Sequence, residues 1–274
     1  IKEGEMVLCP SLTFVATANV IMYEKAQPIF IDSDPNTWVF DLVACEKAMQ
    51  KYRPKALISV DLYGQSCDYD AIQELCNSHN VLVIEDAAEA LGSEYKNKKC
   101  GSFGEMSILS FNGNKIITTG GGGIVTTNNK RLAKKIRHLT TTAKIPHKWE
   151  YIHDEIGFNF RMPNINAALG IAQLEKINVF LKAKRKILSI YSKVFEKIDG
   201  VELYKEPKFS KSNYWLQTLI ISKKFIKEKD FIIKNLIDNG IKVRPLWKPL
   251  HKVSYLKKFP KMRNLKGTLE LYKR

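Results

Sequence analysis

The chain has 274 residues, 45% of them hydrophobic, and a formal net charge of +16 at neutral pH. That length fits one large α/β domain, or a large and a small one. No apolar run approaches the roughly 20 residues that cross a bilayer, and no signal-peptide pattern is present, so no membrane partner is expected.

In chain order, Met6-Val7-Leu8-Cys9 reads as a short strand ended by Pro10, with Ser11 and Thr13 as caps of a helix running to about Tyr23. Pro28 to Ile31 is a second strand, closed by the turn-like Asp32-Ser33-Asp34-Pro35. An amphipathic helix from Asp41 to about Lys51 precedes a third strand, Ala56 to Val60. A helix from Asp68 to His79 then leads to a fourth strand, Val81 to Ile84, which ends in Glu85-Asp86. Wholly apolar strands alternating with helices predict a mostly parallel sheet covered by helices on both faces. Met106 to Leu109 reads as a further strand, Ile124 to Thr127 as another, and Lys130 to Leu139 as a helix.

Residues 140–164 show little periodicity and are rich in His, Trp, Tyr and Asn, the mark of a functional irregular segment. A long helical pattern runs from Ile165 to about Ile198, with Asn164 as its cap. Beyond it lie a strand (Leu216 to Ile221), a helix (Lys227 to Asn239, ended by Gly240) and a strand at Ile241-Lys242-Val243. The expected division is a large domain over 1–180 and a small C-terminal α/β domain over 181–274. The chain starts at Ile1 without a methionine and stops at Arg274 without a closing element, so it reads as the middle of a longer protein, truncated at both ends.

Charge and cysteines narrow the partners. Residues 1–175 carry 18 basic and 20 acidic side chains, residues 176–274 carry 26 and 8. The lysines of the basic half are scattered and form no recognition motif, so a solvated exterior is expected rather than a nucleic-acid surface. Five cysteines without Cys-x-x-Cys spacing read as free thiols in a reducing compartment, hence cytoplasmic, and no metal site is expected.

Ligands of open α/β sheets collect at the carboxyl ends of the strands. Three stretches fall there: Pro10 to Phe14, Asp86 to Glu89, and Ser110 to Lys115. The last continues into four glycines, Gly120 to Gly123. A deprotonated lysine is a nucleophile for carbonyls. If the carbonyl is that of pyridoxal phosphate, a buried carboxylate must keep the ring nitrogen protonated, hydroxyl and N–H donors must hold the phosphate, and a flat apolar side chain must face the ring. Lys115, Asp86, Ser110 and Phe14 supply one candidate for each need.

Pro10-Ser11-Leu12-Thr13-Phe14-Val15-Ala16-Thr17-Ala18-Asn19, Asp61-Leu62-Tyr63-Gly64-Gln65, Ile84 to Gly92, Ser110 to Gly123 and Gly157 to Asn164 occur in an order that resembles the sugar aminotransferases of the DegT/DnrJ/EryC1/StrS family. The resemblance covers about residues 1–180 closely and the remainder loosely. It implies the pyridoxal-phosphate transferase fold of type I, with Lys115 joined to the cofactor and then moving the proton between cofactor and substrate carbon. It further implies that Asp86 pairs with the ring nitrogen, Phe14 stacks on the ring and Ser110 binds phosphate. Glu89 stands where many members carry Gln beside the ring hydroxyl. Asn159 matches an asparagine that reaches the phosphate of the neighbouring subunit, which implies a homodimer with shared sites.

Some members are dehydratases with histidine at the lysine position, so Lys115 points to transamination. Ser-Phe-Asn-Gly-Asn-Lys and the segments Thr140 to Lys144 and Trp149 to His153 are similar to the branch that aminates UDP-linked 4-keto-6-deoxy-N-acetylhexosamines, of the bacillosamine and legionaminic type. The implied reaction moves an amino group from an amino-acid donor, with glutamate expected, to C4 of such a sugar for glycan or nonulosonic acid biosynthesis. Asn112, Lys144 and Arg161 are the substrate-binding candidates. Two departures stand out: the segment bearing the family's Gly-Thr phosphate cup and its closing C-terminal segment are both missing from this sequence. They keep open a non-catalytic or regulatory member, and the basic tail keeps open a nucleic-acid binder.

Overall fold

Strands made only of Val, Ile, Leu and their like must be covered on both faces, and here the first three are, while the later ones are partly exposed. The computed structural model describes residues 1–262 and 264–274. Its first half alternates β1 (Met6–Pro10), α1 (Ala16–Tyr23), β2 (Gln27–Ile31), α2 (Leu42–Tyr52), β3 (Ala56–Val60), α3 (Tyr69–Ser78) and β4 (Leu82–Asp86). A hairpin of β5 (Glu94–Tyr95) and β6 (Lys98–Lys99) leads to β7 (Met106–Ser110) and β8 (Gly123–Thr126). The central sheet has the order β2-β1-β3-β4-β7-β8. All its neighbours pair in parallel except β7 and β8, which are antiparallel.

Alternation along each strand assigns the two faces. Leu8, Ile29, Ile31 and Leu57 point to one side, where Cys45, Ala48 and Met49 of α2 and Ile72 and Cys76 of α3 cover them. Val7, Cys9, Phe30, Ala56 and Ile58 point to the other, against Ala18 and Ile21 of α1 and Leu250, Leu256 and Leu265. Part of the C-terminal stretch that the sequence assigns to a small domain therefore shares the core of the large sheet. All five cysteines are buried and free.

The caps are local chemistry. Asp41 accepts the Ala44 N–H at 3.0 Å and Asp68 that of Ala71 at 3.3 Å, each satisfying one orphan donor of a first helical turn. Ser11 and Thr13, expected to cap α1, do otherwise. Ser11 Oγ meets His251 Nδ1 at 2.6 Å, Thr13 Oγ1 meets Thr17 Oγ1 at 3.1 Å, and α1 begins without a side-chain cap. The Ser11 hydroxyl is spent on a tertiary partner and that of Thr13 on a side chain of α1 itself.

The second half contains α4 (Lys130–Leu139), capped by Asn129, then the short pair β9 (Lys144–Ile145) and β10 (Ile152–His153). The expected single long helix is two, α5 (Asn164–Glu175) and α6 (Ile177–Phe195). They break at Lys176, whose ψ of 3° leaves the helical region. No Gly or Pro marks the spot, so the break is a packing event rather than a composition signal. β11 (Val201–Leu203), β12 (Ser210–Lys211), β13 (Leu219–Ile221), α7 (Lys229–Asp238) and α8 (Lys266–Lys273) complete the chain. β11 pairs with β13 and β12 joins β5. Ile241 to Val243 form no strand, because among the described residues no sheet edge pairs with them. Among the described residues no helix is long and apolar enough to cross a membrane.

Candidate active site

Asp86 is the last residue of β4 and Ser110 the last of β7, two neighbouring parallel strands, and the loop after β1 carries Phe14. All three therefore stand at the carboxyl edge of the sheet. Asp86 Oδ2 accepts from Thr17 Oγ1 at 2.9 Å and Oδ1 from the Ala88 N–H at 3.2 Å. Burial raises its pKa; the two donors and the charge of Lys115 pull the other way without cancelling it. A carboxyl in that balance is completed by a cation placed against it.

Lys115 closes a tight turn, its N–H donating to the Asn112 carbonyl at 3.0 Å. The next two residues, Ile116 and Ile117, are buried and anchor that turn in a third apolar cluster with Leu12, Leu62 and Trp215. The lysine side chain is itself 13% exposed. Its Nζ lies 3.8 Å from Glu89 Oε1 and 4.0 Å from the centroid of the Trp215 ring. Burial lowers its pKa, opposed by the charges of Glu89 and Asp86. Glu89, 6% exposed, is pushed up to about 8 by burial, while Lys115 and the Tyr63 N–H hold it down. Both partners of this pair are displaced towards neutrality. Burial thus favours the free amine of Lys115 over its ammonium.

The glycines do less than a cofactor cradle. Gly120 and Gly122 have φ of +81° and +116°, which turn the chain back into β8. Asn166 Nδ2 of α5 holds the loop by donating to the Thr119 carbonyl at 2.5 Å. Ser110 Oγ accepts the Asn112 N–H at 3.3 Å and is partly buried. Phe14 is 52% exposed, its ring 5.4 Å from that of Trp247.

The structure thus brings Lys115, Asp86, Glu89 and Ser110 to one edge, with Phe14 beside them. It keeps Lys144, Asn159 and Arg161 on the exposed excursion between α4 and α5, where Asn159 bridges to Thr141 and Lys144 Nζ lies 4.0 Å over the Tyr151 ring. Among the described residues none of those three bonds to the lysine, to Asp86 or to Glu89. Asn112 is exposed on the lysine turn itself. Thr17, Asn213, Trp215 and Trp247 were not expected. Thr17 had a signal, since it follows Phe14 by one helical turn and faces the same strand end. The other three come from distant sequence and had none.

The donor set fits pyridoxal phosphate: a half-buried carboxyl short of a cation, a desolvated amine, a hydroxyl at an adjacent strand end and an exposed aromatic face. The profile of the DegT/DnrJ/EryC1/StrS aminotransferase family matches residues 1–274. The chain belongs to that family. Its members depend on pyridoxal phosphate. EpsN of Bacillus subtilis is 47% identical over 256 residues, covering 92% of this chain and 65% of EpsN. A GDP-perosamine synthase of Escherichia coli O157:H7 is 42% identical over 262 residues, covering 95% of this chain and 70% of the synthase. The chain thus spans about two thirds of the length of these relatives. Among solved structures, PseC of Helicobacter pylori, an aminotransferase involved in the biosynthesis of pseudoaminic acid, superposes with a TM-score of 0.92 at 29% identity, covering 99% of this chain and 73% of PseC.

Proposed function

We propose that the protein transfers an amino group, from glutamate, to C4 of a nucleotide-linked 4-keto-6-deoxy sugar with pyridoxal 5′-phosphate as cofactor. The observation that carries this reading is a desolvated Lys115 amine between Glu89 and Trp215, on the same sheet edge as a half-buried Asp86. The cofactor, when bound, supplies an aldehyde for amines to join and a ring that takes up electrons from the substrate carbon. Asp86 would keep its ring nitrogen protonated, Ser110 would donate to its phosphate and Phe14 would lie against its face. Lys115 Nζ, held at lowered pKa, takes a proton from the donor's α-carbon side and returns one at the sugar's C4. Asn112, Lys144 and Arg161 are proposed for the nucleotide sugar.

The same reading makes the protein a cytoplasmic homodimer. Trp149, Tyr151, Ile156, Phe160 and Ile165 are between 72% and 89% exposed, and Phe158 stacks on Phe160 at 5.0 Å. An apolar face of that size favours a protein partner, and a second copy would receive Asn159 at its phosphate. The test is incubation of the protein with glutamate and a panel of UDP- and GDP-linked 4-keto-6-deoxy sugars, followed by mass spectrometry. An amino sugar that keeps its nucleotide supports the reading; recovery of every keto sugar unchanged by a cofactor-loaded protein overturns it.

A further inference from the structure

We propose that Trp215 is a positioning residue for Lys115: its indole plane is a fixed seat for the amine, and Asn213 locks that plane in place. The proposal rests on the reading of Lys115 as the reacting amine.

Two contacts from one rigid side chain carry it. The ring centroid lies 4.0 Å from Nζ, and the indole N–H donates to the Asn114 carbonyl at 2.6 Å. Asn114 precedes Lys115, so a single plane touches both the backbone that launches the lysine and the tip that reacts. A lysine stem is long and flexible, and its ammonium carries no preferred direction of its own. Trp215 is 4% exposed, with Tyr63 and Trp247 around it at ring-centroid distances of 6.2 and 6.4 Å, so the plane has no room to swing.

Asn213 explains why the indole sits there. Its Oδ1 accepts the backbone N–H of Trp215 at 2.8 Å, fixing the residue that bears the indole, and its Nδ2 donates to the carbonyls of Glu89 at 2.8 Å and Leu91 at 3.0 Å. Its own N–H reaches Ser93 Oγ at 2.9 Å, which donates to the Gly64 carbonyl at 2.7 Å. Gly64 permits the approach: a Cβ there would fall 1.9 Å from Asn213 Oδ1, and its φ is +92°. Asn213 is 1% exposed and its amide group is fully bonded. Lys184 Nζ then donates to the Trp215 carbonyl at 2.9 Å, and Arg185 Nη1 to that of Ser212 at 2.8 Å. The strap from Ser212 to Trp215 is tied at both ends and to the backbone of Glu89, the lysine's acidic neighbour.

The seat serves an amine that has to be a base at one moment and an acid at another. The π face favours the ammonium, and the loss of water favours the free amine. Held by the plane, Nζ keeps one location in both states.

The test compares Trp215→Leu, which removes plane and N–H, with Trp215→Phe, which retains an aromatic face, and Asn213→Ala, which frees the indole. Competitive acetylation of the whole chain across pH, read by mass spectrometry of the Lys115 peptide, yields the intrinsic reactivity of that amine. The expected result is a rise of about fivefold or more in Trp215→Leu and near wild-type behaviour in Trp215→Phe, because an uncovered amine is open to water and reagent. In the holoenzyme, kcat with glutamate falls about tenfold or more while KM stays close to wild type, and deuterium at the donor's α-carbon slows turnover more than in wild type. Asn213→Ala moves both readouts in the same direction, and stands in if Trp215→Leu does not fold. Wild-type labelling together with an unchanged isotope effect in the folded variants would overturn the proposal. Retention of turnover by Lys115→Ala would instead overturn the reading of the lysine, so the two failures are separable.

Discussion

Oε1 of Glu89 lies 3.8 Å from Nζ of Lys115, while Oε2 of the same carboxyl accepts the Tyr63 N–H at 2.6 Å. One buried acid thereby ties the reacting amine to the loop after β3. With its pKa pushed up to about 8, the carboxyl is neutral below that pH and anionic above it. The anion stabilises the Lys115 ammonium and so holds that amine's pKa up against burial.

Glu89→Gln is therefore expected to fold and to keep activity within about tenfold at pH 7. Without the anion the amine loses its proton at lower pH, so the rising limb of the variant's rate should lie at lower pH than in wild type. A pH–rate profile of kcat for the two proteins decides this. An identical rising limb in both would remove Glu89 from the proton chemistry.

Asp61 makes a stability prediction. It is fully buried, accepts from Tyr69 Oη at 2.7 Å and from the Cys67 N–H at 3.0 Å through Oδ1, and Oδ2 has no hydrogen-bond partner. Burial first, then the charge of buried Glu85, hold its pKa well above the ordinary value. A raised acid keeps in the folded state a proton that the unfolded chain has released. Stability therefore falls as pH rises from about 4 towards the folded pKa. Asp61→Asn, which retains an oxygen for both donors, should show a shallower decline in melting temperature between pH 5 and pH 9. A steeper decline would contradict the assignment.

At Asp86 the expected loss is in cofactor retention. Asp86→Asn should weaken it by about 2–5 kcal/mol, the cost of truncating one partner of a buried charge pair. Thr17→Val removes one donor to the carboxylate and should cost about 1.5–3 kcal/mol. Equilibrium dialysis against pyridoxal phosphate measures both. Undiminished affinity in Asp86→Asn would displace Asp86 from the ring nitrogen.

The exposed aromatic excursion predicts an assembly state. A doubly polar variant, Ile156→Asp with Phe160→Asp, should sediment as a monomer where the wild type sediments as a dimer, with the core intact because both side chains are 72% exposed or more. A wild-type monomer at micromolar concentration would contradict the shared site.

The sheet and half of the site were legible in the sequence for one reason: both depend on short-range patterns. Fully apolar five-residue strands identify a covered parallel sheet, and a parallel sheet collects Asp86, Ser110 and Lys115 at its carboxyl edge. Trp215, Asn213 and Trp247 obey no such pattern. Tertiary folding of the C-terminal half brings Trp215 to Lys115 and Asn213 and Trp247 to Trp215, and nothing in their local sequence points to the lysine. Ile241 to Val243 failed as a strand because alternation says nothing about whether a neighbouring edge exists. The break at Lys176 was hidden because no Gly or Pro marks it in the sequence.

The central claim is that Lys115 is the amine that takes the cofactor, and borohydride reduction of the holoenzyme followed by peptide mass spectrometry tests it most directly. The account predicts one pyridoxal-phosphate adduct, carried by the peptide containing Lys115 and absent from Lys115→Ala. An adduct on any other lysine, or a visible cofactor band that persists in Lys115→Ala, would contradict it.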